Sequence, residues 1–126
     1  MLITSPYFVP GTAGMPLLRR AAQAGVQTVV MPNVLAVTDE PLVHARYSVY
    51  RLEMLQIGVD IREFNPAQIR RSRSFGNFGR CTPRLHAKVV IVDQRLVLLG
   101  SVNLDARSAV ANTEMRVVIH SPALAG

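Results

Sequence analysis

A single cysteine, Cys81, leaves no internal disulfide to form, and without neighbouring Cys or His it lacks the ligand set of a zinc site. No apolar run approaches the roughly 18 residues of a membrane-spanning helix. The start, Met1-Leu2-Ile3-Thr4-Ser5-Pro6, has no basic n-region of the kind that opens a signal peptide. Disulfide scaffolds, zinc fingers and membrane-spanning helices are thereby excluded. Acids are scarce, 8 against 14 basic residues, so the 126-residue chain carries a formal charge of +6. That excess suits an anionic partner such as phosphate, nucleic acid or a lipid headgroup, although exposed arginines also serve solubility alone. Lysine is scarcest of all: of the 14 basic residues only Lys88 is a lysine. An ammonium is a compact point charge that a guanidinium does not replace, so Lys88 stands out.

What is present is a folded core, at 49% hydrophobic and 17% charged residues, in a chain the size of one domain or part of one. Residues 2–9 are apolar and rich in β-formers until Pro10-Gly11 breaks the run. Residues 16–24 place Leu17, Leu18, Ala21 and Ala22 on one helical face, with Gly25 at the C-cap position. A short strand over 26–31 ends at Pro32-Asn33. Thr38-Asp39-Glu40-Pro41 opens a second helix, with Val43, Tyr47, Tyr50, Met54 and Ile57 at helical spacing and Gly58 closing it. Residues 59–64 return as a strand. This alternation predicts an α/β fold, a mixed and largely parallel sheet flanked by helices.

Residues 65–83 are a long loop bearing Gly and Ser, with Arg70, Arg71, Arg73, Arg80 and Arg84 in it or just beyond. A loop of that length is a functional lid or a surface segment, and its arginines, with Phe75 and Phe78, suit an anionic lipid surface or plain solvation. Residues 85–92 and 95–99 predict a hairpin turning at Asp93-Gln94; 104–111 form a short helix or turn, and 114–120 a last strand. No repeat and no linker divides the chain.

Strand alternation puts His86 and Lys88 on one face, while Asp93 points away from that face or lies in the turn. Past the hairpin, Ser101 and Asn103 share a side, Gly100 permits close backbone approach, and Glu114 opens the last strand. Imidazole, ammonium, hydroxyl, carboxamide and carboxylate thus converge where open α/β sheets hold their ligands. Singly, each has an ordinary reading: a structural histidine, a solvated lysine, a turn cap. Together they do not, because an apolar strand has no structural need for both His86 and Lys88 on one face.

The pattern His-x-Lys-x4-Asp followed by Gly-Ser-x-Asn resembles the HKD motif of the phospholipase D superfamily, with His86, Lys88, Asp93, Gly100, Ser101 and Asn103 in register. Leu104-Asp105-Ala106-Arg107-Ser108 and Asn112-Thr113-Glu114 are similar to the segment that follows it in that family. Upstream, Ser5-Pro6-Tyr7-Phe8-Val9-Pro10 resembles the strand before the second motif of bacterial cardiolipin synthases. Asn33 to Asp39, Val43-His44-Ala45, Tyr47 and Tyr50-Arg51 look most like the cardiolipin synthase C branch. The likeness covers nearly the whole chain.

The resemblance implies displacement at phosphorus without a metal or other cofactor. His86 would be the nucleophile that becomes a phosphohistidine, Lys88 and Asn103 would hold phosphoryl oxygens, and Glu114 would orient His86. Ser101 is implied as a phosphate contact or a support behind one, Gly100 and Asp93 as structural members of the motif, with Asp93 in a turn or salt bridge. His44, among Tyr47, Tyr50 and Arg51 on the second helix, is implied as an acceptor-lipid or headgroup contact, against the plainer reading of a half-buried helix histidine.

The family site takes two such motifs, the second histidine serving as general acid. Here His44-Ala45-Arg46 is no second copy, having Arg where the motif has Lys. The expectation is therefore one phospholipase D-like lobe over residues 1–126, the second-motif half of a truncated enzyme, with the motif segment at about 80–107. Its implied activity is phosphatidyl transfer in phospholipid metabolism, with an anionic phospholipid as substrate and an N-terminal lobe or a second copy as partner. It would work in a bacterial cell, in the cytoplasm or peripherally at the inner membrane. The alternatives are a homodimeric nuclease acting on DNA or RNA and an inactive remnant that binds lipid or phosphate.

Overall fold

In the computed structural model, which describes residues 1–34, 41–65, 85–101, 103 and 115–126, short β-rich runs make one sheet of six strands. They are β1 (Leu2–Thr4), β2 (Val29–Met31), β3 (Asp60–Ile61), β4 (Val89–Val92), β5 (Leu96–Gly100) and β6 (Arg116–His120), in the order β3-β2-β1-β4-β5-β6. The helices among the described residues are α1 (Gly11–Gln23), α2 (Pro41–Gln56) and the short α3 (Pro122–Ala125). The expected loop at 65–83, apart from Asn65, the helix or turn at 104–111, the start of the second helix at 38–40 and Glu114 lie outside the described residues.

The sheet is mixed, as expected, but its parallel character is confined to one half. β1 pairs with β2 and β2 with β3 in parallel, each joined through a helix. From β1 outward every pairing is antiparallel: β1 with β4, β4 with β5, β5 with β6. The antiparallel pairing of β4 with β5 has a local cause, because the two are joined by a hairpin too short for a parallel crossover. At its tip Asp93 and Gln94 both have φ of 51°, the left-handed region that tight hairpin turns use, and the Arg95 N–H donates to the Val92 carbonyl at 3.1 Å. Asp93 is exposed there, so its place is in the turn.

Both long helices end in the same way. Past α1, Gly25 (φ 78°) donates to the Ala22 carbonyl and Val26 to that of Ala21, each at 2.9 Å. Past α2, Gly58 (φ 88°) donates to Leu55 and Val59 to Met54. These are paired six-to-one and five-to-two bonds around a left-handed glycine, and at α2 the flanking Val59 and Met54 also meet in the core. The start of α1 differs from the sequence expectation. It begins at Gly11 instead of near Pro16, which lies within the helix. Pro16 removes one bond to the Thr12 carbonyl, and Thr12 is exposed, where a missing donor costs least. Leu17 also departs: Met15 and Leu18 are buried while Leu17 is 63% exposed, because the inward stripe runs through positions 15 and 18 towards the half-buried Ala22.

The core lies between the helices and one face of the sheet. Ile3 sits opposite Val30 on β2 and Val90 on β4, forming a row against which Met15, Leu18, Tyr47 and Met54 pack. The expected inner face of α2 is observed, with Tyr47 and Met54 buried and Tyr50 and Ile57 partly so. The strand register decides where the chemistry falls. The carboxyl ends of β1 and β2, the amino end of β4, the carboxyl end of β5 and the amino end of β6 all reach one edge of the sheet, since Thr4 pairs with Met31 and Val89, Val89 with Leu99, and Gly100 with Arg116.

Candidate functional site

The approach to β4 carries His86 and Lys88 along this edge, and it is held there by Asn33. The Asn33 side chain, 5% exposed, donates through Nδ2 to the Leu85 carbonyl and accepts through Oδ1 from the Leu85 N–H, both at 3.1 Å. A carboxamide thus takes the place of a strand partner one residue before His86. Replacing Asn33 with alanine leaves both Leu85 groups unpaired, and the expected cost is about 2–3 kcal/mol, with aspartate, which keeps the acceptor alone, falling between. Denaturant unfolding of the two variants checks this. Sequence reasoning saw in Asn33 a strand terminator and the start of a family-like segment, but not this anchoring bond, which depends on a residue 52 positions away.

His86 is exposed and Lys88 half-buried. Lys88 Nζ donates to the His86 carbonyl at 3.1 Å and stands 3.5 Å from His86 Nε2, so the two fall on one face as alternation predicted. The Gly100 N–H donates to the Lys88 carbonyl at 3.2 Å, which ties β5 to the same segment. Gly100 has to be glycine, because a Cβ there would run into the carbonyl oxygen of Met115. The Ser101 N–H donates to the Met115 carbonyl, and Ser101 Oγ accepts from the Met115 N–H, both at 3.1 Å. Ser101 therefore fixes the backbone that follows Glu114. Asn103 is half-buried, and its Oδ1 is buried without a hydrogen-bond partner.

Beside Lys88 opens a cleft of about 70 Å³ whose lining includes Ser5, Lys88, Val90, Leu98, Gly100 and Arg116. Its walls are mainly apolar, with Lys88 and Arg116 as the cations. Arg116 was not singled out from the sequence, although it lies two residues past Glu114 and pairs with Gly100. His44 is not in this cleft. It lines a smaller one with Pro6, Tyr7, Phe8, Pro32 and Asn33, edge-on to Tyr47 at a ring separation of 5.4 Å.

Tyr47 anchors that part of α2. Its hydroxyl donates to Glu63 Oε1 at 3.1 Å, and Arg51 Nε donates to the same oxygen at 3.1 Å. Burial, with the Glu63 carboxylate beside it, pushes the Tyr47 phenol up to about 12. The Glu63 charge likewise raises the Arg51 guanidinium above its ordinary value. Because the folded value exceeds the unfolded one of about 10, the neutral phenol's contribution to stability is complete below about pH 10 and declines as pH rises from there through about 12. Tyr47→Phe is expected to remove that decline, so unfolding midpoints of variant and parent draw together between about pH 10 and 12.

Among the described residues no group of three His, Cys, Asp or Glu is placed to hold a metal ion, and no helix is long and apolar enough to cross a membrane.

Comparison with known proteins identifies the family and the fold. The chain is 40% identical over 125 residues to cardiolipin synthase C of Escherichia coli (strain K12), covering 98% of this chain and 26% of that protein. It is 36% identical over 124 residues to cardiolipin synthase A of Pseudomonas aeruginosa (strain UCBPP-PA14), covering 98% of this chain and 22% of that protein. The chain thus spans about a quarter of the length of these relatives. Among solved structures, NucT from Helicobacter pylori superimposes with a TM-score of 0.72 at 14% identity, covering 98% of this chain and 70% of that one. Nuc from Salmonella typhimurium, a phospholipase D family member, superimposes with a TM-score of 0.66 at 24% identity, covering 98% and 68%. These two structures share the fold. The profile of the family described as "Cardiolipin synthase, PLD-like domain" matches residues 1–126, so the chain belongs to that phospholipase D-like family from end to end.

Proposed function

We propose that this chain is one lobe of a phosphatidyl-transferring enzyme of cardiolipin synthase type, and that His86 is its nucleophile. The observation that carries the proposal is the exposed His86 ring with the ammonium of Lys88 3.5 Å from its Nε2, at the sheet edge where five strand ends meet. In the first step an imidazole nitrogen of His86 attacks phosphorus, a P–N bond forms, and the P–O bond to the leaving alcohol breaks. That alcohol takes its proton from a second histidine, supplied by another lobe of a longer chain or by a second copy. In the second step an acceptor hydroxyl attacks phosphorus, returns a proton to that second histidine, and frees His86.

Lys88 and Asn103 hold the phosphoryl oxygens; each preorganised donor of this kind is worth about 3 kcal/mol in a transition state. Glu114 accepts from the remaining ring nitrogen of His86 and sets its tautomer. Ser101 acts through the backbone it pins, and Arg116 adds a second positive charge beside the phosphate. The substrate is an anionic phospholipid met at a membrane surface, a reading supported by the 40% identity to a cardiolipin synthase. The nuclease alternative has only the shared fold behind it.

The test is to incubate the full-length protein with phosphatidylglycerol labelled at phosphorus, quench it in alkali, where phosphohistidine survives, and map the label. Label on the peptide holding His86 is expected. Turnover of the lipid with no label on that peptide at any quench time would overturn the assignment, and cleavage of DNA or RNA alone would favour the nuclease.

A further inference from the structure

We infer that Arg116 selects the substrate by the charge of its headgroup. With Lys88 it frames a slot over Gly100 that admits a phosphodiester of an uncharged polyol and rejects one whose alcohol carries an ammonium. The inference rests on the transfer reading above, in which the reacting phosphate lies on Lys88.

Three neighbouring strands set these residues in one row. The Gly100 N–H donates to the Lys88 carbonyl at 3.2 Å, and Gly100 is the register partner of Arg116. Cross-strand partners share a face, so Lys88 and Arg116 rise on the same side of the sheet, two strand spacings or about 10 Å apart at the backbone. The residue between them has no side chain. The place that a Gly100 Cβ would take lies 3.3 Å from Arg116 Cγ, so the arginine stem leans back over the glycine. Arg116 is exposed, and both cations line the cleft of about 70 Å³.

The charges in this slot are unbalanced. Among the described residues no carboxylate pairs with Arg116. None lines the cleft either: besides the two cations and Gly100, its described lining is Thr4, Ser5 and valines and leucines of β4 and β5. The acid nearest Arg116 in the sequence, Glu114, is engaged by the His86 ring in the transfer reading. A phosphodiester brings one negative charge, which Lys88 answers, and the charge of Arg116 is left to meet the headgroup. A polyol meets it with hydroxyl oxygens, which accept from the guanidinium N–H groups. Ethanolamine or choline meets it with a second cation, over a floor of Val90 and Leu98 that supplies no anion to separate the two. Selection therefore works mainly by rejecting the wrong headgroup.

The experiment titrates the full-length protein calorimetrically with two water-soluble headgroup esters, glycerophosphoglycerol and glycerophosphoethanolamine. Neither forms a membrane, so the general attraction of a basic protein to an anionic surface drops out of the comparison. The parent is expected to bind the glycerol ester about tenfold or more tightly than the ethanolamine ester. Arg116→Gln is expected to bring the two within about threefold, chiefly by strengthening the ethanolamine ester. Arg116→Lys, which keeps the charge, should retain most of the preference, and Arg116→Glu should reverse it; unchanged unfolding midpoints show that the variants fold. In parallel, turnover of short-chain phosphatidylglycerol relative to short-chain phosphatidylethanolamine, both below their micelle concentrations, is expected to fall about tenfold or more in Arg116→Gln. Equal binding of the two esters by the parent, binding of neither, or a preference that Arg116→Gln leaves intact overturns the inference. If neither lipid is turned over while the binding preference depends on Arg116, the transfer reading fails and the charge selection stands.

Discussion

His86→Ala is expected to reduce phosphodiester turnover by about four orders of magnitude or more, the scale on which loss of a nucleophile leaves binding and electrostatics alone. The fold should not register the change. His86 is exposed, and among the described residues its side chain meets Lys88 at 3.5 Å, so the stability difference should stay within about 1 kcal/mol. That separation makes the result decisive, because loss of activity with an unchanged unfolding midpoint cannot come from misfolding. Free imidazole added to the variant should restore part of the turnover, since truncation leaves space beside Lys88 for a mobile nucleophile. Wild-type rates in the variant would mean that another group attacks phosphorus.

Much of this was legible in the sequence. Gly25 and Gly58 marked both helix ends because a left-handed residue closing a helix is almost a glycine monopoly, and Asp93-Gln94 marked the hairpin through the apolar runs around it. His86 and Lys88 could be placed on one face from a period of two, which needs no tertiary information. What escaped was long-range. That Asn33 substitutes for a strand beside Leu85, that Ser101 pins Met115, and that Arg116 enters the cleft all depend on which strands become neighbours. The expectation of a largely parallel sheet failed over half its width for the same reason: the hairpin was visible, but not that β4 would dock against β1. The start of α1 was misplaced because Pro16 reads as a first-turn residue, whereas solvent beside Thr12 lets the helix carry it in its interior.

Lys88→Arg is the sharper test, because it preserves charge and changes only shape. Lys88 Nζ holds two positions at once, 3.1 Å from the His86 carbonyl and 3.5 Å from His86 Nε2. Its backbone is fixed by the bond from Gly100. A guanidinium on that backbone is longer and planar, so it must either displace the His86 ring or turn into the cleft beside Ser5 and Arg116. In both cases the positive charge remains near a bound phosphate, and ground-state affinity should survive. The donor geometry that matches the trigonal-bipyramidal phosphorus is lost. The expected outcome is a kcat lower by about 100-fold with KM changed by no more than about threefold, whereas Lys88→Ala lowers both affinity and rate. Equal activity in the arginine variant would show that charge alone is needed at this position, and the presence of a single lysine in a chain of arginines would then carry no catalytic meaning.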